Sequence, residues 1–297
     1  MGLSSAYEHR AVQGDWDPAV IGICTDSNSQ LPVTVAEQYA IEVVPITVTI
    51  GEHDYLEGVD LDADGFYDLL QRNPSAAVST SQPSPGQFAA AYDSLLHRGC
   101  DEILSIHVTA SMSGTLNSAR LAARSLPVPV RLIDSGTASF GVSWCVWAAA
   151  EAVVGGANLA EAVHVVEALS PYIGSVFVLG AQPQSTGVRA EQLRGEAAAG
   201  DGIQLLTLHA GQTKLLATAR TSAEAIAKMA AVASGWGPRI RVGVGLADSS
   251  GEPLTRALEA AVGDLGNVVE VVRYRVGPSI AVYSGLGGVG CFMCPAS

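Results

Sequence analysis

Two periodicities alternate along the chain from Ile21 onward. Short apolar runs bounded by turn residues, at Ile21–Cys24, Glu42–Ile50, Ile103–Ile106 and Val130–Ile133, read as strands. Between them, apolar positions recur at helical spacing near Pro32–Tyr39, Ala63–Arg72, Pro85–Arg98 and Thr115–Ser125. Such alternation predicts an α/β domain with a doubly wound, mostly parallel sheet. Two more helical patterns, Phe140–Val154 and Leu159–Ala168, stop at Gly155-Gly156 and Ser170-Pro171, and the domain boundary is expected near Pro171. Beyond it, strands are expected at Gly174–Leu179, Ile203–Leu208, Thr213–Ala219, Arg241–Leu246, Val268–Arg275 and Ser279–Val282, with helices at Ser222–Ser234 and Gly251–Val262. The expected layout is an N-terminal extension over 1–19, an α/β domain over 20–170 and an α+β domain over 171–297, with a cleft between the two domains.

Composition narrows what such a protein does. The hydrophobic fraction is 48% and the mean hydropathy +0.29, yet no apolar run reaches the ~18 residues of a membrane span. The richest stretch, Trp144 to Val154, is broken by Glu151 and reads as a buried helix. The start lacks the basic and apolar regions of a secretory signal, and Ala6 spoils a myristoylation pattern at Gly2. A cytoplasmic protein is expected, with at most transient contact with a membrane surface. Sixteen Lys+Arg against 29 Asp+Glu leave a net charge of −13, which makes nucleic acid a poor partner. The lysines are Lys214 and Lys228, so no lysine is present in the first two-thirds to form a Schiff base or grip a phosphate. Cys24, Cys100, Cys145, Cys291 and Cys294 lie mostly in apolar segments, and no disulfide framework is expected.

The chemistry-bearing segments are two hydroxyl-rich turns. Ser79-Thr80-Ser81-Gln82-Pro83-Ser84-Pro85-Gly86-Gln87 follows a short strand, and Ser84 with Gln87 forms a capping box that starts a helix at Pro85. Ser111-Met112-Ser113-Gly114-Thr115 follows the Ile103–Ile106 strand and precedes a helix, with Ser111 or Ser113 a candidate N-cap. Open α/β sheets bind ligands at the carboxyl ends of strands, where amides at helix starts attract anions. Two such turns on neighbouring strands can converge on one carboxylate without a buried lysine. The plainer alternative is that each hydroxyl only caps a helix, and the residues alone leave both readings open.

The first half resembles the DegV family. The resemblance is carried by Cys24-Thr25-Asp26-Ser27, Val43-Val44-Pro45-Ile46, Glu57-Gly58-Val59-Asp60-Leu61, Thr80-Ser81-Gln82-Pro83-Ser84, Ser113-Gly114-Thr115 and Ile133-Asp134-Ser135. It implies a non-catalytic carrier that holds a long-chain fatty acid by its carboxylate, with the acyl chain in a tunnel between the domains, and presents it to a fatty-acid kinase. By motif match, Thr80 and Ser113 are the implied carboxylate ligands, with Ser81 and Gly114 beside them. The family usually carries a histidine in a His-Thr-Gly-Pro-Gly run near the C-terminus, where this chain has Tyr283-Ser284-Gly285-Leu286-Gly287. Tyrosine offers a hydrogen bond but no charge near neutral pH. Arg189, in a weakened Gly-Gly-Arg pattern, and Arg220 are expected at the tunnel mouth or on a partner-facing surface. No cofactor or metal is implied.

Other signals point to structure. Gly285-Leu286-Gly287-Gly288-Val289-Gly290 fits a dinucleotide fingerprint in spelling, but too few residues follow for a βαβ unit. Cys291 and Cys294 have metal-site spacing with apolar flanks and no second pair nearby. Asp60-Leu61-Asp62-Ala63-Asp64-Gly65 opens like a calcium loop, but Gln71 stands where a glutamate belongs, and helix capping by Asp62 or Asp64 is expected. Asp26 and Asp134, each followed by Ser at a strand end, are turn formers or orienters of the hydroxyl turns. His9, His53, His97, His164 and His209 show no ligand-like spacing. Two alternatives to the carrier stand: a binder of another small molecule or acyl conjugate, and an acyl-transfer enzyme using Ser113, for which His107 is near in sequence but unplaced.

Overall fold

The computed structural model describes residues 19–180, 184–185 and 202–296. Strands β1 (Ile21–Asp26), β2 (Glu42–Val44), β6 (Glu102–His107) and β7 (Val130–Asp134) form a parallel sheet in the order β2-β1-β6-β7. Helices α3 (Pro85–His97) and α4 (Thr115–Ala123) pack on one face, burying Phe88, Tyr92, Leu95 and Ala119 against Cys24 and Ile103. Helices α5 (Phe140–Val154) and α6 (Leu159–Leu169) cover the other, burying Val142, Val146 and Val166 against Leu104 and Ile106. Apolar residues at consecutive positions of β6 serve the two faces in turn, as a doubly wound sheet requires.

The expected single strand Glu42–Ile50 is two strands in two sheets. Pro45 lacks an amide hydrogen and ends β2; the chain then enters β3 (Thr47–Ile50), which turns back as β4 (His53–Leu56). With β5 (Ala77–Ser81) and β9 (Gln184–Ser185) these make a small sheet in the order β4-β3-β5-β9, in which β3 is antiparallel to both neighbours. Thr80 therefore lies within a strand of the small sheet, paired with Val48, and not at the end of a strand of the parallel sheet. Helices α1 (Val33–Gln38) and α2 (Ala63–Arg72) complete this half, and Asp62 caps α2 by accepting the Gly65 N–H at 2.8 Å.

The remaining strands β8 (Gly174–Val178), β10 (Ile203–His209), β11 (Gln212–Ala219), β12 (Ile240–Leu246), β13 (Val268–Arg275) and β14 (Val289–Pro295) form a mixed sheet ordered β11-β10-β8-β14-β12-β13. Helices α7 (Ser222–Ser234) and α8 (Glu252–Gly263) bury Met229, Leu258 and Val262 on one face of it. The other face meets the small sheet, α2 and the start of α5.

One expectation fails here, and one strand was not expected. Ser279–Val282 is not a strand but the middle of helix α9 (Pro278–Ser284), which opens with proline at its first position. The glycine-rich run read only as lacking a βαβ unit leads into β14, which pairs with both β8 and β12. Glycine is required in that connection: a Cβ on Gly180 would fall 1.7 Å from the Leu286 carbonyl oxygen. Cys291 and Cys294 sit on opposite faces of β14, one in the core under α7 and α8 and the other in the core shared with the small sheet.

Candidate functional site

The site is assembled from strand ends held by two carboxylates, Asp26 buried and Asp134 exposed. Asp26, at the end of β1, is fully buried; its carboxylate accepts the Asn28 N–H at 3.1 Å and the Val108 N–H at 3.2 Å, and lies 2.9 Å from His107 Nδ1. His107 Nε2 lies 2.6 Å from Ser105 Oγ, which is 2.9 Å from the Tyr92 hydroxyl. A buried polar chain thus runs from α3 through β6 to β1, and it fixes the segments after both strands. Asp134, ending β7, accepts the Ala110 and Gly136 N–H groups at 3.0 and 2.9 Å and shapes the turn after β6.

That turn delivers Ser113, whose hydroxyl accepts the Thr115 N–H at 3.2 Å and lies 2.7 Å from Thr115 Oγ1. Ser113 is not the N-cap of α4; Gly114 holds that position without a side-chain bond. Gly114 has a steric reason to lack a side chain, because a Cβ there would overlap the Gln82 carboxamide, 2.1 Å from its Oε1. Gln82 in turn donates to Ser118 Oγ at 3.3 Å, so the two hydroxyl turns are locked together. The Ser84–Gln87 capping box forms as expected and anchors the Thr80 turn on α3.

Thr80, Ser81 and Ser113 line one small cavity of about 50 Å³ with Asn28, Ile46, Gln82, Val108, Met112, Ser279 and Tyr283. At ~10–15 Å³ per water-sized group, that volume holds about three or four, the size of a carboxylate. Tyr283 reaches it from α9, and its hydroxyl lies 2.9 Å from Thr80 Oγ1. Asn28, Gln82 and Ser279 were not singled out by sequence reasoning. Gln82 lies inside a quoted motif and Asn28 directly follows one, whereas Ser279 gave no signal because its segment was read as a strand.

Met112 and Tyr283 also line a second, much larger cavity of about 840 Å³, so the two spaces adjoin. Its wall includes Phe177, Leu208, Tyr274, Val276, Ile280 and Phe292. On β12, Val242 and Val244 point into the helix-covered core, while Gly243 and Gly245 leave the opposite face bare. The stacked rings of Phe140 and Tyr274, 4.2 Å apart, lie flat on that bare backbone. The tip of the β10–β11 hairpin closes one side. Ala210 and Gly211 both take left-handed φ, as a two-residue hairpin turn requires, and a Cβ on Gly211 would fall 1.9 Å from Ser111 Oγ.

Arg220 follows β11 at the end remote from this hairpin tip, exposed and away from either cavity lining, so it does not stand at the mouth seen here. Arg189 lies outside the described residues. Among the described residues no three His, Cys, Asp or Glu side chains gather to hold a metal, and no helix is long and apolar enough to cross a membrane.

The described molecule thus joins a three-layered α/β half to a mixed-sheet half, with an apolar cavity that adjoins a hydroxyl-lined pocket. Residues 20–181 match the family described as "Uncharacterised protein, DegV family", and the chain belongs to that family. It is similar to a DegV domain-containing protein of Streptomyces coelicolor, 34% identical over 72% of this chain and 76% of the relative. Another, of Deinococcus radiodurans, is 30% identical over 93% of this chain and 99% of its own length. Among solved structures, the chain resembles a fatty-acid-binding DegV family protein from Thermus thermophilus, with a TM-score of 0.82, 26% identity and coverage of 93% and 100% of the two chains.

Proposed function

We propose that this protein is a carrier that binds one long-chain fatty acid, with the acyl chain in the large cavity and the carboxylate among Thr80, Ser81, Ser113, Gly114 and Tyr283. The observation that carries this reading is that the small hydroxyl-lined pocket and the large apolar cavity share Met112 and Tyr283 as a common wall. Affinity comes from the tail: ~0.8 kcal/mol for each of roughly fifteen methylenes gives about 12 kcal/mol gross. That is of the same size as the association cost of ~4–15 kcal/mol. The hydroxyls supply direction, placing the carboxylate at the end of the cavity bounded by the exposed residues Ser81 and Gln82.

A carboxylate held at an exposed edge suits handover to a separate fatty-acid kinase, which is the role we assign to the carrier. The chemistry is then the partner's. Acyl transfer by Ser113 draws no support from the site, because both ring nitrogens of His107 face Asp26 and Ser105. A binder of another small molecule also fits less well, since an ~840 Å³ cavity walled by Phe177, Ile280 and Phe292 favours an apolar occupant.

The test is fatty-acid retention in single variants. Thr80→Ala and Ser113→Ala each remove a hydrogen bond to a charged group, worth ~1.5–3 kcal/mol, and should raise the dissociation rate of a labelled long-chain acid by about tenfold or more. Retention equal to the parent in both variants would overturn the head-group assignment.

A further inference from the structure

Behind the head-group pocket lies a carboxylate that touches no cavity. Glu57 is only 6% exposed and sits between the two halves of the molecule. Its backbone is set by the short loop after β4, where the Glu57 N–H donates to the Ile46 carbonyl at 3.0 Å and the Gly58 N–H to the Leu61 carbonyl at 2.9 Å. Its two oxygens receive donors from opposite halves. Ser27 Oγ donates to Oε2 at 2.5 Å, and the Ser279 backbone N–H donates to Oε1 at 2.9 Å. The Gln30 Nε2 group stands 3.5 Å from Oε1, donates to the Ser27 carbonyl at 2.9 Å and reaches Ser279 Oγ at 3.4 Å. The Gln30 Oε1 accepts the Gly277 N–H.

Ser27, Gln30 and the Ser279 backbone thus converge on the one carboxyl group. The arrangement also explains a glycine. A Cβ on Gly277 would fall 2.6 Å from Glu57 Oε1 and 2.9 Å from Gln30 Oε1, so any side chain there would push both acceptors off the start of α9. Helix α9 carries Ser279 and Tyr283 into the small pocket, and Tyr283 forms part of both cavity walls.

Resting on the fatty-acid reading of the pocket, we infer that Glu57 is a positioning residue: its carboxyl group clasps the start of α9 to the Ser27–Gln30 turn and so sets Tyr283 against Thr80 at the ligand's head group. Glu57 never meets the ligand. It acts by holding the one helix that reaches the carboxylate from the far half of the chain.

Two measurements test this. In the first, backbone amide exchange across Ile280–Ser284 is compared in ligand-free parent, Glu57→Gln and Gly277→Ala proteins. Loss of one buried hydrogen bond corresponds to about a fivefold or greater rise in exchange through local opening, and both variants should show it. Unchanged exchange in both overturns the clasp, whether or not the parent binds lipid. In the second, dissociation of a labelled long-chain fatty acid is followed in Glu57→Gln, Tyr283→Phe and the double variant. Action through Tyr283 predicts that the double variant releases the acid no more than about twofold faster than Glu57→Gln alone, whereas two multiplying effects would contradict it. A purely structural role would lower the unfolding temperature of Glu57→Gln without this coupling. A parent that binds no fatty acid, with α9 exchange still raised in the variants, would remove the carrier reading and leave the clasp standing.

Discussion

Polar side chains at this site are of two kinds, those that meet the cavity and those that hold the first kind in place. Thr80, Ser113 and Tyr283 belong to the first, and Asp26, His107, Asp134 and Glu57 to the second. Among the second kind Glu57 carries a thermodynamic signature. Burial raises its carboxyl above the usual glutamate value, with the hydrogen bonds from Ser27, Ser279 and Gln30 working in the opposite direction. A carboxylate with a raised folded-state pKa binds its proton more tightly in the folded protein than in the unfolded chain. Its contribution to stability is therefore greatest below the unfolded pKa and is lost as pH rises through the folded pKa. Glu57→Gln abolishes that slope. The difference in unfolding temperature between the glutamine variant and the parent should be smallest under acid conditions below the ordinary glutamate pKa and shift in favour of glutamine as pH climbs past it. Thermal unfolding over a pH series checks this; a difference that shifts in favour of the parent with rising pH would contradict it.

Helix starts are the elements that local sequence made most legible. Ser84 with Gln87, Asn158 with Glu161 and Asp62 with Gly65 all form the caps that their spacing implies, because a cap is decided within four residues. Ser84→Ala should cost about 1 kcal/mol in urea unfolding, with much less effect on fatty-acid retention than Thr80→Ala. An equal loss of retention would mean that the cap itself shapes the pocket. Long-range pairing was less legible. Ser279–Val282 has the β-branched look of a strand, but Pro278 starts a helix and the sheet position goes to β14. Glu42–Ile50 reads as one apolar run, and only Pro45 marks the place where it leaves one sheet for another. Thr80 and Ser113, singled out through their motifs, do line one pocket, yet the physical reason given for their meeting was partly wrong. The two turns come from different sheets and meet because Gln82 packs into the space left by Gly114.

At the scale of the molecule, the mixed sheet is joined to the parallel-sheet half by a shared apolar core and by polar contacts at its edge. One such join is Arg241 on β12, whose guanidinium lies 4.8 Å from the Trp144 ring centroid and 4.5 Å from that of Trp147. It also pairs with Glu151 at 3.2 Å and with Glu270 at 2.6 Å. Arg241→Ala should destabilise the protein by about 1–3 kcal/mol in urea unfolding, through loss of both the ring contacts and the ion pairs. No change would mean that α5 is held to the mixed sheet by apolar packing alone. The net charge of −13 fits a carrier whose ligand is gripped by its tail, since no large positive field is needed to hold a single carboxylate. The most direct measurement is the mass of what accompanies the protein: native mass spectrometry of gently purified material, followed by extraction under denaturing conditions. The carrier account predicts one long-chain fatty acid per chain, lost more readily from Thr80→Ala and Ser113→Ala; protein that stays empty when offered long-chain acids, or that releases a short polar compound instead, would contradict it.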